Sequence, residues 1–206
     1  MRKFTLHKGF TAALIRPNID TDAIIPSVEM KHVSKKGLSS GLFAAWRYTD
    51  RVQRTPNWDF VLNQEAYQGT SILLGGRNFG CGSSREHAVW ALAEFGIRAI
   101  IAPSFGAIFR ANCIANGLLP ICLEAGFIQQ LADWVEENPQ ANRLQIDLDQ
   151  RSVGASQELL FQFEIDDSDA EMLLHGMDPI ALTLRLEDQI RDFQQSDEQK
   201  RPWVYL

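Results

Sequence analysis

Apolar positions along this chain change their spacing several times, and each change marks an element. Residues 10–15, Phe-Thr-Ala-Ala-Leu-Ile, lie between Lys8 and Arg16 and read as a strand. The polar turn Asn18-Ile19-Asp20-Thr21-Asp22 follows, and then Ala23-Ile24-Ile25 runs up to Pro26. From 27 to 57 the periodicity is weak, with many Lys, Ser and Gly residues. That composition predicts a mobile loop with a short helix near 42–46.

The middle of the chain is more regular. Ser71-Ile72-Leu73-Leu74 is a buried-strand run, and a helix is predicted from about 84 to 95. Its apolar face is Ala88, Val89, Leu92 and Phe95, and Gly96 is a natural stop. Arg98-Ala99-Ile100-Ile101-Ala102 is a second strand. Pro103-Ser104 opens a second helix that closes at Asn116-Gly117, and 118–123 form a third strand. Strand, helix, strand, helix, strand at this spacing predicts an α/β fold with a central parallel sheet and crossover helices. Ligands of such sheets collect at the C-terminal ends of strands, and the loop at 75–83 is at such an end.

Downstream, a helix is predicted over about 126–137. Residues 143–165 alternate like two or three added antiparallel strands around a turn near Gly154. Asp167 or Ser168 is expected to cap a short helix through His175, and Asp178-Pro179 to open a longer one reaching about Phe193. The tail from Gln194 is polar and expected to fray, yet it ends in the apolar Pro202-Trp203-Val204-Tyr205-Leu206, which suggests docking onto this domain or a partner. With no internal repeat or low-complexity linker, 1–206 reads as one domain.

Composition narrows the function. A formal net charge of −6 argues against gripping nucleic acid through overall charge. No stretch approaches the roughly 18 apolar residues of a membrane span, and a cytoplasmic location is expected. The three cysteines, Cys81, Cys113 and Cys122, match no zinc spacing and lack the paired pattern of iron–sulfur ligation. They read as reduced thiols, and no metal is expected on this chain.

The chemistry concentrates in Gly80-Cys81-Gly82-Ser83-Ser84-Arg85-Glu86-His87, a glycine-rich loop running into a helix. Free N–H groups at a helix start attract anions. Gly80 and Gly82 allow close backbone approach, and Arg85 can grip a carboxylate with two parallel hydrogen bonds. A small acidic substrate beside a serine base is one reading. The other is structural, because Ser83-Ser84-Arg85-Glu86 fits the capping-box template Ser-x-x-Glu, with Ser83 as a helix cap. Phosphate-loop, dinucleotide and nucleophile-elbow patterns all fail on the residues around Gly80 and Ser83. Asp20 and Asp22 fit turn residues bonding their own backbone, or carboxylates that orient a hydroxyl or accept a proton.

Three segments together carry a family resemblance. Asn18 to Pro26, Asn78 to Ala88, and Ile101-Ala102-Pro103-Ser104-Phe105 resemble the small subunits of 3-isopropylmalate dehydratase, the aconitase superfamily's swivelling domain as a separate chain. The resemblance runs from about residue 4 to about 193 and leaves 203–206 outside it. It implies a swivelling β/β/α domain in a hydro-lyase of leucine biosynthesis, active only with a large subunit that carries a [4Fe–4S] cluster. It further implies Ser83 as the base, Ser84 and Arg85 (with Gly82) at a substrate carboxylate, and Asp22 and Asp20 in the acidic part of the site. After Pro26 the residues Ser27-Val28-Glu29-Met30-Lys31-His32 depart from the family pattern. Val28 and Met30 remain candidates for an apolar substrate pocket. Glu29 and Lys31 leave room for a related diacid, such as methylmalate, citraconate or an aconitate homologue. A carboxylate-binding module without chemistry is the third alternative.

Overall fold

A computed structural model describes residues 1–30 and 35–205. Lys31 and His32 of the loop discussed above, and the terminal Leu206, lie outside the described residues. In chain order come β1 (Leu6–Leu14), the helical turn α1 (Thr21–Ile24), α2 (Ala44–Arg47), a hairpin of β2 (Tyr48–Asp50) and β3 (Thr55–Pro56), and β4 (Thr70–Gly75). Then follow α3 (His87–Phe95), β5 (Ala99–Ala102), α4 (Ala107–Ala115), β6 (Leu119–Cys122) and α5 (Ala125–Glu137). The last part holds β7 (Leu144–Asp147), β8 (Ser152–Gly154), β9 (Leu160–Gln162), α6 (Asp167–His175), α7 (Pro179–Leu184) and α8 (Glu187–Lys200).

Among the described residues one sheet runs β6-β5-β4-β1-β7-β8-β9. The side from β6 to β1 is parallel and the side from β1 to β9 antiparallel. The α/β expectation, a parallel sheet with crossover helices and added antiparallel strands, therefore holds. β1 joins the two halves. Its Leu6–Gly9 part pairs with β7, its Phe10–Leu14 part with β4, and the register shifts between Phe10 and Thr11.

The parallel strands are apolar on both faces because each face is covered. Leu73 and Ile100 point into one core with Ala88, Val89, Ala91 and Leu92 of α3 and Phe109 of α4. Ile72, Leu74, Ala99 and Ile101 point into a second core with Ile128, Leu131 and Val135 of α5 and Leu173 of α6. Each Val, Leu, Ile or Phe among them, withdrawn from water, contributes about 1.5–3 kcal/mol of transfer free energy, and each alanine less.

Several boundaries differ from the sequence reading. α3 starts at His87 rather than near 84, and its N-cap Glu86 makes no side-chain cap bond. α4 starts at Ala107. Pro103-Ser104 does not open it, because Phe105 bridges Phe79 and Gly106 N–H donates to Phe79 O. Gly154 is the last residue of β8, and the turn expected near it follows at 155–159. The expected helix from 179 to 193 is broken at Arg185-Leu186, where Glu187 and Asp188 supply the acidic first turn of a new helix. The tail is not frayed. α8 continues to Lys200, and buried Asp197 receives a two-pronged bond from Arg201 (2.7 and 2.8 Å) and the Tyr205 hydroxyl (2.9 Å).

The segment leading from 35 to the buried Leu38 and Leu42 is tied to α3 by one carboxylate. Glu94 accepts N–H bonds from Gly37, Leu38 and Ser39 at 2.6, 2.6 and 2.7 Å. Burial works to raise its pKa, but these donors prevail and hold it below the ordinary 4.5. A depressed carboxylate adds stability above its unfolded pKa and loses it as pH falls through its folded one. Glu94→Gln is therefore expected to lower Tm by about 2–4 °C at pH 7. The gap to the parent should close as pH drops below 4.5, read by thermal melts across pH.

Candidate active site

Three loops meet at the C-terminal ends of β1, β4 and β5. The stretch after β1 and the stretch after β4 run side by side as a short parallel ladder. Asn18 N–H donates to Arg77 O (2.8 Å), Gly80 N–H to Ile19 O (2.7 Å) and Thr21 N–H to Cys81 O (3.0 Å). The loop after β5 closes the other side, where Phe79 N–H donates to Ser104 O (3.0 Å) and Asn78 N–H to Ser104 Oγ (2.9 Å). The Asn78 amide also donates to Asn18 Oδ1 at 2.9 Å. These contacts bring the segments 18–26, 78–88 and 101–105 to one place.

Two glycines here have different jobs. Gly80 has φ +71°, and a Cβ on it would stand 2.1 Å from the Phe109 ring. Its close approach is thus to core and backbone, not to a ligand as its place in the loop suggested. Gly82 has φ +92°, with Asp20 Cβ at 3.4 Å as the nearest neighbour of an added Cβ. Here the backbone angle alone calls for glycine.

Ser83 is exposed and stands four residues before the first helical residue of α3. It caps nothing in that helix, so the capping-box reading fails, and so does the picture of a hydroxyl bathed in the free amides of a helix start. Its Oγ instead lies 3.2 Å from Thr21 Oγ1, which also donates to Ser83 O at 3.4 Å. Ser84 is exposed beside it. Arg85 forms an ion pair with Asp22, the side chains being 32% and 58% exposed. Asp20 turns the other way: its Oδ1 accepts the Ala23 N–H at 2.6 Å and caps α1. The loop therefore presents two hydroxyls, a guanidinium and a carboxylate to solvent. That set can bind a carboxylate and move a proton.

The candidate pocket residues separate. Met30 packs against the first core, whereas Val28 is 60% exposed. Glu29 is drawn aside by an ion pair with Arg54 and abuts Gly41. Among the described residues no three His, Cys, Asp or Glu side chains gather as a metal site. Burial pushes the Cys113 and Cys122 thiols up, only partly opposed by Arg110.

A family model for the aconitase C-terminal domain matches residues 1–126. A second, for the C-terminal domain of 3-isopropylmalate dehydratase small subunits, matches 180–205. The 3-isopropylmalate dehydratase small subunit of Cupriavidus necator is 55% identical over 206 residues, covering 100% of this chain and 99% of that one. The chain belongs to the family of 3-isopropylmalate dehydratase small subunits. The small subunit of Leptospira interrogans is 43% identical over 205 residues, covering 100% of this chain and 99% of the relative. A crystal structure of 3-isopropylmalate dehydratase from Methanocaldococcus jannaschii is 28% identical with a TM-score of 0.63, covering 91% of this chain and 99% of that one. The match over 180–205 also corrects one expectation, since the apolar residues 203–205 belong to a family feature.

Sequence reasoning missed Thr21, the hydroxyl in hydrogen-bond contact with Ser83 Oγ, and the cross-braces Asn18, Asn78 and Ser104. The hint available was that each sits inside a segment that carries the resemblance. The two glycines give a direct check. Gly80→Ala is expected to cost about 3–5 kcal/mol in urea unfolding, from backbone strain plus the ring clash. Gly82→Ala, with strain alone, should cost about 1–2 kcal/mol.

Proposed function

We propose that this chain works as one swivelling domain that carries the proton-transfer half of a 3-isopropylmalate dehydratase site. As a family member it is the small subunit of a hydro-lyase, so an active enzyme needs a large subunit beside it. The observation that carries the proposal is the juxtaposition of exposed Ser83 with Thr21 at 3.2 Å and with the neighbouring Arg85–Asp22 ion pair. No helix among the described residues is long and apolar enough to cross a membrane.

The substrate is a hydroxy diacid, and its reaction moves a hydroxyl between adjacent carbons by loss and return of water. Arg85 receives one carboxylate on its planar fork, with Ser84 donating a further bond. Asp22 holds the guanidinium in place until that carboxylate arrives and keeps its orientation afterwards. Ser83 Oγ, as the alkoxide, takes the proton from the carbon next to the carboxylate. Once Ser83 is deprotonated, the Thr21 hydroxyl turns its one hydrogen from Ser83 O to Ser83 Oγ, and the positive Arg85 offsets the charge, which favours the deprotonated form. The proton returns from the same oxygen when water adds back in the other sense. Gly82 gives the loop the backbone angle that leaves Ser83 pointing outward. Asp20 contributes by fixing the start of α1.

The open exposure of this loop supports a site completed by the partner. We place on that large subunit a [4Fe–4S] cluster, which when bound supplies Lewis acidity to the departing hydroxyl. On the substrate side chain, Val28 is the exposed apolar candidate, because Met30 is packed into the core. A panel of 2-isopropylmalate, methylmalate and citraconate on the assembled enzyme ranks the alternatives.

Ser83→Ala in the assembled enzyme is expected to lower kcat by about 10²–10⁴-fold. The Tm of the isolated subunit should hardly move, since an exposed substitution changes stability by about 0.5 kcal/mol or less. Near-parental turnover would reject Ser83 as the base. Arg85→Lys should raise KM by about tenfold or more, because the fork is lost while the charge remains.

A further inference from the structure

The residues 83–86 could make a capping box, and the structure diverts both of its halves. In the box, Ser83 Oγ would accept the Glu86 N–H while the Glu86 carboxylate reached back to the Ser83 N–H. Here Ser83 is drawn to Thr21 at 3.2 Å. Glu86 Oε1 is held by Asn116 Nδ2 at 2.7 Å and Trp90 Nε1 at 3.2 Å.

Asn116 is built into this contact. It follows α4, and its Nδ2 also donates to Asn112 O at 2.9 Å. Its Oδ1 accepts from Trp90 Nε1 at 3.1 Å and from Lys35 Nζ at 3.3 Å. The Lys35 ammonium stands 4.9 Å over the Trp90 ring and covers the cluster. The amide thus spans 30 residues of sequence to reach Glu86.

We propose that Asn116 and Trp90 are positioning residues that hold Glu86 and thereby keep residues 83–85 out of α3. Releasing Glu86 makes the box available and lengthens α3 backward, with Ser83 as its cap. The Ser83 hydroxyl is then taken by the Glu86 amide, and Arg85 turns within a helical first turn away from Asp22. Two arrangements compete for the same two side chains, and the tertiary brace selects the one in which Ser83 faces outward. The effect on turnover rests on the role of Ser83 proposed above, whereas the effect on the backbone does not.

The test uses Asn116→Ala, Trp90→Phe and the double variant Asn116→Ala/Glu86→Ala. Each is measured for turnover with the large subunit and for amide hydrogen exchange in the full-length small subunit. Asn116→Ala is expected to lower kcat by about 10–100-fold, the scale for a misplaced catalytic group. It should also slow exchange of the Glu86 and His87 amides, which gain partners in the box. Trp90→Phe keeps the ring packing and should shift both readouts the same way by less. Removing Glu86 from the Asn116→Ala background deletes half of the box and should restore part of kcat. The proposal is overturned by kcat within twofold of the parent for Asn116→Ala, by lost turnover with unchanged exchange at 86–87, or by a double variant slower than the single one. If exchange shifts as expected while Ser83→Ala stays active, the brace stands and the base assignment falls.

Discussion

Everything at the candidate site depends on a short parallel ladder between 18–21 and 77–81. Its three N–H to carbonyl bonds, from Asn18, Gly80 and Thr21, join the ends of two strands beyond the regular sheet. Backbone polar groups in a half-buried loop must find partners, and here they find each other. That pairing sets Thr21 beside Ser83 and Asp22 beside Arg85, although about 60 residues separate each pair in the chain. Gly80 makes the ladder possible, because a side chain there would collide with Phe109.

The ladder also explains why the candidate site lies at this end. β1 and β4 run parallel, so the chain leaves both at the same edge, as ligand sites in open α/β sheets require. α1 and the residues before α3 then enter from neighbouring strands with Asp22, Ser83 and Ser84 exposed and Thr21 buried beside them. The exposure that would be costly for an isolated catalytic centre suits a half-site that another polypeptide covers.

Much of the frame was legible in the residues. Runs such as Ser71 to Leu74 and Arg98 to Ala102 have one interpretation when both faces are apolar, and Asp178 capped its helix as its pairing with Pro179 implied. Boundaries failed where a distant partner outbid a local signal. Ser83 to Glu86 spells a helix start, but Thr21 and Asn116 claim the side chains that would build it. Pro103-Ser104 spells another, but Phe79 uses that backbone as a strand partner. The turn at Arg185-Leu186 was hidden because the flanking residues are all compatible with helix. The roles proposed for Ser83 and Arg85 rest on the resemblance, since their spacing alone fitted a cap equally well.

The two-sided pairing of β1 bears on the order in which the chain can fold. Leu6 to Leu14 leaves the ribosome well ahead of both its neighbours, β4 at 70–75 and β7 at 144–147. Contacts of such long range are slow to form, because loop closure must be paid before pairing rewards it. The Phe10–Leu14 part can pair as soon as β4 emerges, whereas Leu6–Gly9 keeps an open edge until β7 is made, and chaperone binding during translation is most valuable over that interval.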